Sequence, residues 1–147
     1  MNTIKNEEYK NMWNDRYKNN EFAYGKNPNL FFKEWLQKFV PRSILMPADG
    51  EGRNGVYAAV LGWQVTSFDL SEEGKTKALQ LANENKVNIN YVVGDFNELD
   101  FAKQEFDAVG LIYAHVAASE KNLFHQKINT LLKHSGVIFL EALVKII

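Results

Sequence analysis

The apolar positions of this chain change their period part-way along. In 7–18 (EEYKNMWNDRYK), Tyr9, Met12, Trp13 and Tyr17 fall near one face of a 3.6-residue repeat, which predicts a helix. The run NNEFAYGKNP interrupts it with Gly25 and Pro28. Asn27 and Pro28 open a second helical segment, NPNLFFKEWLQKFV. Its apolar stripe is Leu30, Phe31, Trp35, Leu36 and Phe39, and Pro41 closes it. Beyond Pro41, short apolar runs alternate with amphipathic ones. Strands are predicted at Ser43–Met46, Gln64–Phe68, Ile89–Val93, Phe106–Ile112 and Gly136–Leu140. Helices are predicted at Arg53–Leu61, Glu72–Asn85 (Ala78, Leu79 and Ala82 inward) and Lys121–Lys133. Near-continuous apolar strands alternating with helices define an α/β domain with a buried parallel sheet and helices on both faces.

Such a sheet takes its ligand beyond the carboxyl ends of the strands, so chemistry is sought at 47–55, 69–71, 94–97 and 113–116. The loop PADGEGRN carries Gly50, Gly52 and Gly55 as G-x-G-x-x-G. Glycines there let backbone approach a ligand, and the next helix offers free N–H groups. The same spacing also serves a ligand-free tight turn. Asp69, about 20 residues on, can accept both hydroxyls of an adenosine ribose, or cap the next helix with Ser71, Glu72 and Glu73. Asp95 in VVGDFN has the chemistry to take an adenine amino group with Phe96 over the ring, or closes an Asx-turn. Trp13, Arg16, Tyr17 and Tyr24 either pack as a helix stripe or fold over a cofactor as a lid. In the second case Arg16 pairs with a carboxylate and the rings face a sulfonium. His115, two residues past Tyr113, is the candidate base or substrate contact. His125 and His134 read as solvent or capping residues.

Composition narrows the field. The 147 residues suit one domain, and 46% hydrophobic with 24% charged is globular and soluble. A net charge of −1 leaves no basic surplus for nucleic acid. Without cysteine, and with three dispersed histidines, neither a disulfide nor a zinc site is expected. The polar opening MNTIKNEEYKNMW is neither signal peptide nor membrane span, so a cytoplasmic location is the default.

Together these residues resemble the class I S-adenosylmethionine-dependent methyltransferases, with the tellurite-resistance and thiopurine methyltransferase groups as look-alikes. The resemblance rests on W-N-D-R-Y at 13–17, Y-G-K-N-P-N at 24–29, D-G-E-G-R-N at 49–54, G-W-Q-V-T-S-F-D-L-S at 62–71, V-V-G-D at 92–95 and L-I-Y-A-H at 111–115. It implies a Rossmann-like three-layer sandwich with about five mostly parallel strands in the order 3-2-1-4-5 and two N-terminal helices. It implies one domain over 1–147, with 1–40 as a helical lid and 41–147 as a C-terminally short core. S-adenosylmethionine is the implied cofactor, and a small thiol or a chalcogen oxyanion such as tellurite the implied acceptor. Gly50, Gly52, Arg53 and Asn54 would line the methionine part. Asp69 would hold the ribose and Asp95 and Phe96 the adenine, with Asp49, Leu70, Ser71 and Gly94 also at the cofactor site. Trp13, Arg16, Tyr17 and Tyr24 would close over it, and Tyr113 and His115 would stand beside the reacting methyl.

Two features depart from that pattern. The acidic residue usual late in the first strand is replaced by Met46, with Asp49 nearby but out of register. The antiparallel hairpin usual after the fifth strand is absent, which leaves an apolar edge and the tail Leu143–Ile147 uncovered. A homodimer through that edge, or a chain shortened from a longer enzyme, is the expectation. The competing readings are a non-catalytic, truncated cofactor-binding domain and an NAD-dependent oxidoreductase.

Overall fold

A computed structural model describes residues 3–114 and 116–142. Helices α1 (Thr3–Tyr17) and α2 (Leu30–Leu36) precede a regular alternation: β1 (Ser43–Pro47), α3 (Arg53–Val60), β2 (Gln64–Asp69), α4 (Glu72–Glu84), β3 (Asn90–Val93), β4 (Phe106–Ile112), α5 (Lys121–Leu131) and β5 (Leu132–Glu141). The five strands form one sheet in the order β3-β2-β1-β4-β5, and every pairing is parallel. This is the expected architecture.

The pleat sorts the core by alternate residues. Ile44, Met46, Val65, Ala108 and Phe139 face one side, where Phe32 and Leu36 of α2 and Ala58 of α3 cover them. Leu45, Phe68, Val109 and Leu111 face the other, under Phe124, Ile128 and Leu131 of α5. The sheet is therefore buried on both faces, which explains the unbroken apolar reading of β1 and β4.

Three details correct the sequence reading. In α2 the buried pair is Phe32 and Leu36, while Leu30 is 81% and Trp35 43% exposed. The helix starts after Asn29, whose side chain accepts from the Phe32 amide at 3.0 Å, not at Asn27. In α4 the inward residue is Leu81 and not Leu79, because Lys77, Ala78, Leu81 and Ala82 form the buried face. Finally, β5 starts at Leu132 and not Gly136. Leu132 pairs with Phe106, and a register shift brings Val137 opposite Ala108, with Ser135 at φ 67° in the intervening bulge.

Candidate functional site

The loops after β1, β2, β3 and β4 all open on one cavity of about 920 Å³ at the carboxyl end of the sheet. Its far wall is Tyr9, Met12, Trp13 and Tyr17 of α1, joined by Tyr24. Trp13 and Tyr17 stack at 5.4 Å, and the Arg16 guanidinium lies over Trp13 at 5.5 Å and over Tyr24 at 5.0 Å. Arg16 itself is exposed and stands behind this wall, outside the cavity lining.

The glycine loop is held from every side. Asp69, at the end of β2, accepts from the Gly50 amide at 2.9 Å and from the Ser71 amide at 3.0 Å, so one carboxylate joins the loops after β1 and β2. Burial pushes its pKa up against these hydrogen bonds. The Tyr91 hydroxyl donates to the Gly50 carbonyl at 2.5 Å. A Cβ on Gly50, at φ 55°, would lie 2.5 Å from the Tyr17 hydroxyl, so the space this glycine leaves lets Tyr17 close on the loop. Gly52, at φ 82°, caps α3, and a Cβ there would lie 2.5 Å from that of Ala78. Its place in the motif serves the packing of α3 on α4, and it does not line the cavity.

Asp49 answers the question raised by Met46. Met46 is buried against Phe32 and Gly110, an apolar filling where the resemblance expects a carboxylate. Asp49 accepts from Ser67 Oγ at 2.7 Å and from the Gly55 amide, which ties it beneath the start of α3. Burial lifts its pKa to about 7, with the Ser67 hydrogen bond opposing.

Asn54 accepts the Asn29 amide at 2.8 Å, and Arg53 Nη1 donates to the Asn27 carbonyl at 3.3 Å, so both anchor the segment before α2 as well as lining the cavity. Ser71 lies outside the lining. It accepts from the Gly74 amide at 2.9 Å as the cap of α4 and donates to Asn14 Oδ1 at 2.6 Å, which docks α1. Leu70, Gly94, Asp95 and Phe96 line the cavity. Asp95 accepts from the Asn97 amide at 3.1 Å, the Asx-turn of the sequence reading, and Phe96 meets Phe124 edge-on at 4.9 Å. Tyr113 lines the cavity at φ 50°. His115 and Leu143–Ile147 lie outside the described residues. His125 and His134 are exposed.

Three groups escaped the sequence reading. Glu51, inside the glycine motif, is buried and ion-paired with the equally buried Lys77 of α4, and it accepts from the Ala23 amide at 2.8 Å. Lys77 also donates to the Glu21 carbonyl and lies 4.7 Å from the Phe22 ring, so the pair fastens 21–23 to the loop. The signal was present as a lysine on the inner face of a helix. The third is Glu141, at the carboxyl end of β5, whose Oε1 accepts from the Tyr113 hydroxyl at 2.7 Å. Its position matches Asp69 at the end of β2. Six carboxylates line the cavity (Glu8, Asp49, Glu51, Asp69, Asp95 and Glu120) against one lining cation among the described residues, Arg53. Among those residues, no group of three or more His, Asp or Glu could hold a metal, and no helix is long and apolar enough to cross a membrane.

A doubly wound parallel sheet with a cavity at its topological switch point defines a nucleotide- or cofactor-binding α/β domain. Residues 44–136 match a family described as a methyltransferase domain, and the chain belongs to that family. An uncharacterized methyltransferase of Schizosaccharomyces pombe is 39% identical over 57 residues, covering 39% of this chain and 39% of the relative. Among solved structures, the PH0226 protein of Pyrococcus horikoshii OT3 superposes with a TM-score of 0.65 at 28% identity, covering 72% of this chain and 52% of that one. Haemonchus contortus phosphoethanolamine N-methyltransferase 1, solved with phosphoethanolamine and S-adenosylhomocysteine, shares the fold with a TM-score of 0.74 at 18% identity. There the match covers 94% of this chain and 32% of the other. The chain thus spans about half the length of the first of these structures and two fifths of its curated relative.

Proposed function

We propose that this chain binds S-adenosylmethionine in the cavity and transfers its methyl group to a small molecule. The observation that carries the reading is the convergence of Asp69, Asp95 with Phe96, the glycine loop and the α1 aromatic wall on one space of about 920 Å³. That volume lies at the upper end of the range for ligand pockets and has room for a cofactor beside an acceptor. The donor set fits the cofactor's chemistry. Asp69 accepts from the Gly50, Ser71 and Leu70 amides, and a carboxylate with about four acceptor sites keeps one for a ribose hydroxyl. Phe96 and Asp95 supply an apolar face and an acceptor for adenine. The aromatic wall of α1 and the acidic lining suit a sulfonium cation. S-adenosylmethionine supplies an activated methyl group, so the protein's task is to align the acceptor and exclude water.

The W-N-D-R-Y and Y-G-K-N-P-N runs are the ground for proposing kinship with the tellurite-resistance and thiopurine methyltransferases. They set thiols and chalcogen oxyanions as the first acceptors to assay. The test is methyl transfer from S-adenosylmethionine across that panel. The proposal expects a methylated product with at least one acceptor, and Asp69→Ala to abolish both transfer and S-adenosylhomocysteine binding. Binding without transfer to any acceptor would favour the non-catalytic reading.

A further inference from the structure

Tyr113 and Glu141 carry two anomalies that no packing contact explains. Tyr113 lies at φ 50°, a region that an aromatic L-residue enters only under constraint. Glu141 has one oxygen, Oε2, that is buried with no hydrogen-bond partner. Both fall on the same pair. The Tyr113 amide donates to the Glu141 carbonyl at 2.9 Å, continuing the register in which Ile112 faces Glu141. The Tyr113 hydroxyl donates to Glu141 Oε1 at 2.7 Å. The turn at Tyr113 thus commits its only hydroxyl proton to a carboxylate and leaves the phenol oxygen as an acceptor. Strain at the cavity-lining Tyr113 and an unsatisfied buried oxygen on the Glu141 carboxylate it bonds point to function.

Resting on the methyltransferase reading, we propose that Tyr113 and Glu141 form a proton relay on the acceptor side of the cavity, selecting an uncharged acceptor that carries a proton on the atom to be methylated. The acceptor's X–H donates to the Tyr113 oxygen. As the X–C bond forms and the S–C bond of the methyl donor breaks, the acceptor's proton passes to Tyr113 and the Tyr113 proton passes to Glu141. Glu141 ends as the carboxylic acid and returns its proton to water. The charges balance: the sulfonium charge and the carboxylate charge disappear together. The Glu141 hydrogen bond raises the Tyr113 pKa, so the phenol stays protonated until its proton is passed on. The lining acts in the same direction: with Glu51 paired to Lys77 and Asp49 raised to about 7, Glu8, Asp95 and Glu120 still outnumber Arg53, which disfavours an oxyanion and tolerates a neutral thiol, hydroxyl or amine.

The test compares wild type, Tyr113→Phe and Glu141→Gln on a neutral thiol, a phenol and tellurite, with S-adenosylhomocysteine affinity measured by calorimetry. The relay predicts transfer to a proton-bearing acceptor with tellurite the poorest. In both variants kcat falls by about 100-fold or more, with cofactor affinity within about threefold. It also predicts that Glu141→Gln lowers the ionisation pH of one tyrosine, and that this tyrosine is missing from the absorbance titration of Tyr113→Phe. Unchanged kcat in both variants, a tyrosine titration that Glu141→Gln does not move, or a wild type that prefers tellurite would overturn it. A wild type that binds S-adenosylhomocysteine yet methylates no proton-bearing acceptor would also overturn the relay while leaving the cofactor site standing. A wild type that does not bind it fails the earlier reading first.

Discussion

Several residues expected at a ligand site hold the fold together. Asp69 binds backbone amides of two loops. Ser71 caps α4 and docks α1. Gly52 makes room for Ala78. A Gly52→Ala change adds a Cβ at φ 82° against α4, and the expected cost is about 1–3 kcal/mol in urea unfolding. Asp49 has a titration consequence. Its folded pKa, about 7, lies above the ordinary value of 3.8. The folded chain therefore holds a proton that the unfolded chain has released between those values, and stability falls as pH rises through that window. Asp69 is shifted in the same direction. Asp49→Asn keeps an oxygen for Ser67 and Gly55 and removes the charge. It should raise stability at pH 8 by on the order of 2 kcal/mol, allowing for partial exposure, with no gain near pH 4. A melting curve at each pH decides it, and an equal change at both would contradict the assignment. The strand-end carboxylates Asp69 and Asp95 were legible because their neighbours spell a pattern. Glu141 was not, because its meaning lies in Tyr113 across a strand end, and no local spacing records that.

Elements were read well where burial on both faces left an apolar run, and poorly where distant contacts chose the buried face or the register. β1 and β4 announced themselves as apolar runs because the sheet is covered on both faces, and β2 by its β-branched and aromatic residues. The seven residues of α2 hold barely two turns, so several apolar stripes fit equally and only packing on Phe139 selects Phe32. In α4 the buried Lys77 disguised the inner face, since its place there depends on Glu51 in a distant loop. That pair links α4, the glycine loop and the segment 21–23. Lys77→Met leaves Glu51 charged and unpaired, with an expected loss of about 3–5 kcal/mol. Faster hydrogen exchange at the Ala23 amide would report the release of that segment. Exchange and stability at wild-type levels would mean that the pair does not fasten it. The bulge in β5 was hidden for a similar reason, because Leu132 pairs with Phe106 before the register shifts.

At the scale of the whole molecule, two surfaces define the account. One is the sheet edge at β5, the last strand in the order, where Ile138 is 40% and Leu140 55% exposed. The apolar run 137–140 on this edge strand favours association. The expected outcome is a dimer in light scattering at high micromolar concentration, reduced to monomer by Leu140→Lys with Ile138→Lys. A monomeric wild type would contradict it. The parallel α/β class was legible from alternation alone, while the strand order followed from the family resemblance. The cavity's acidic balance was not, since it sums side chains from five separate stretches of chain.

The other surface is the cavity, and the central claim is that it takes an adenosyl sulfonium cofactor and not a nicotinamide. Thermal unfolding of the chain alone, with S-adenosylhomocysteine and with NAD tests this directly. At 100 times its dissociation constant a ligand adds about 2.7 kcal/mol, which for a domain of this size raises the midpoint by roughly 5–10 °C. The account predicts that shift with S-adenosylhomocysteine and none with NAD. A shift with NAD alone, or with neither, would contradict it.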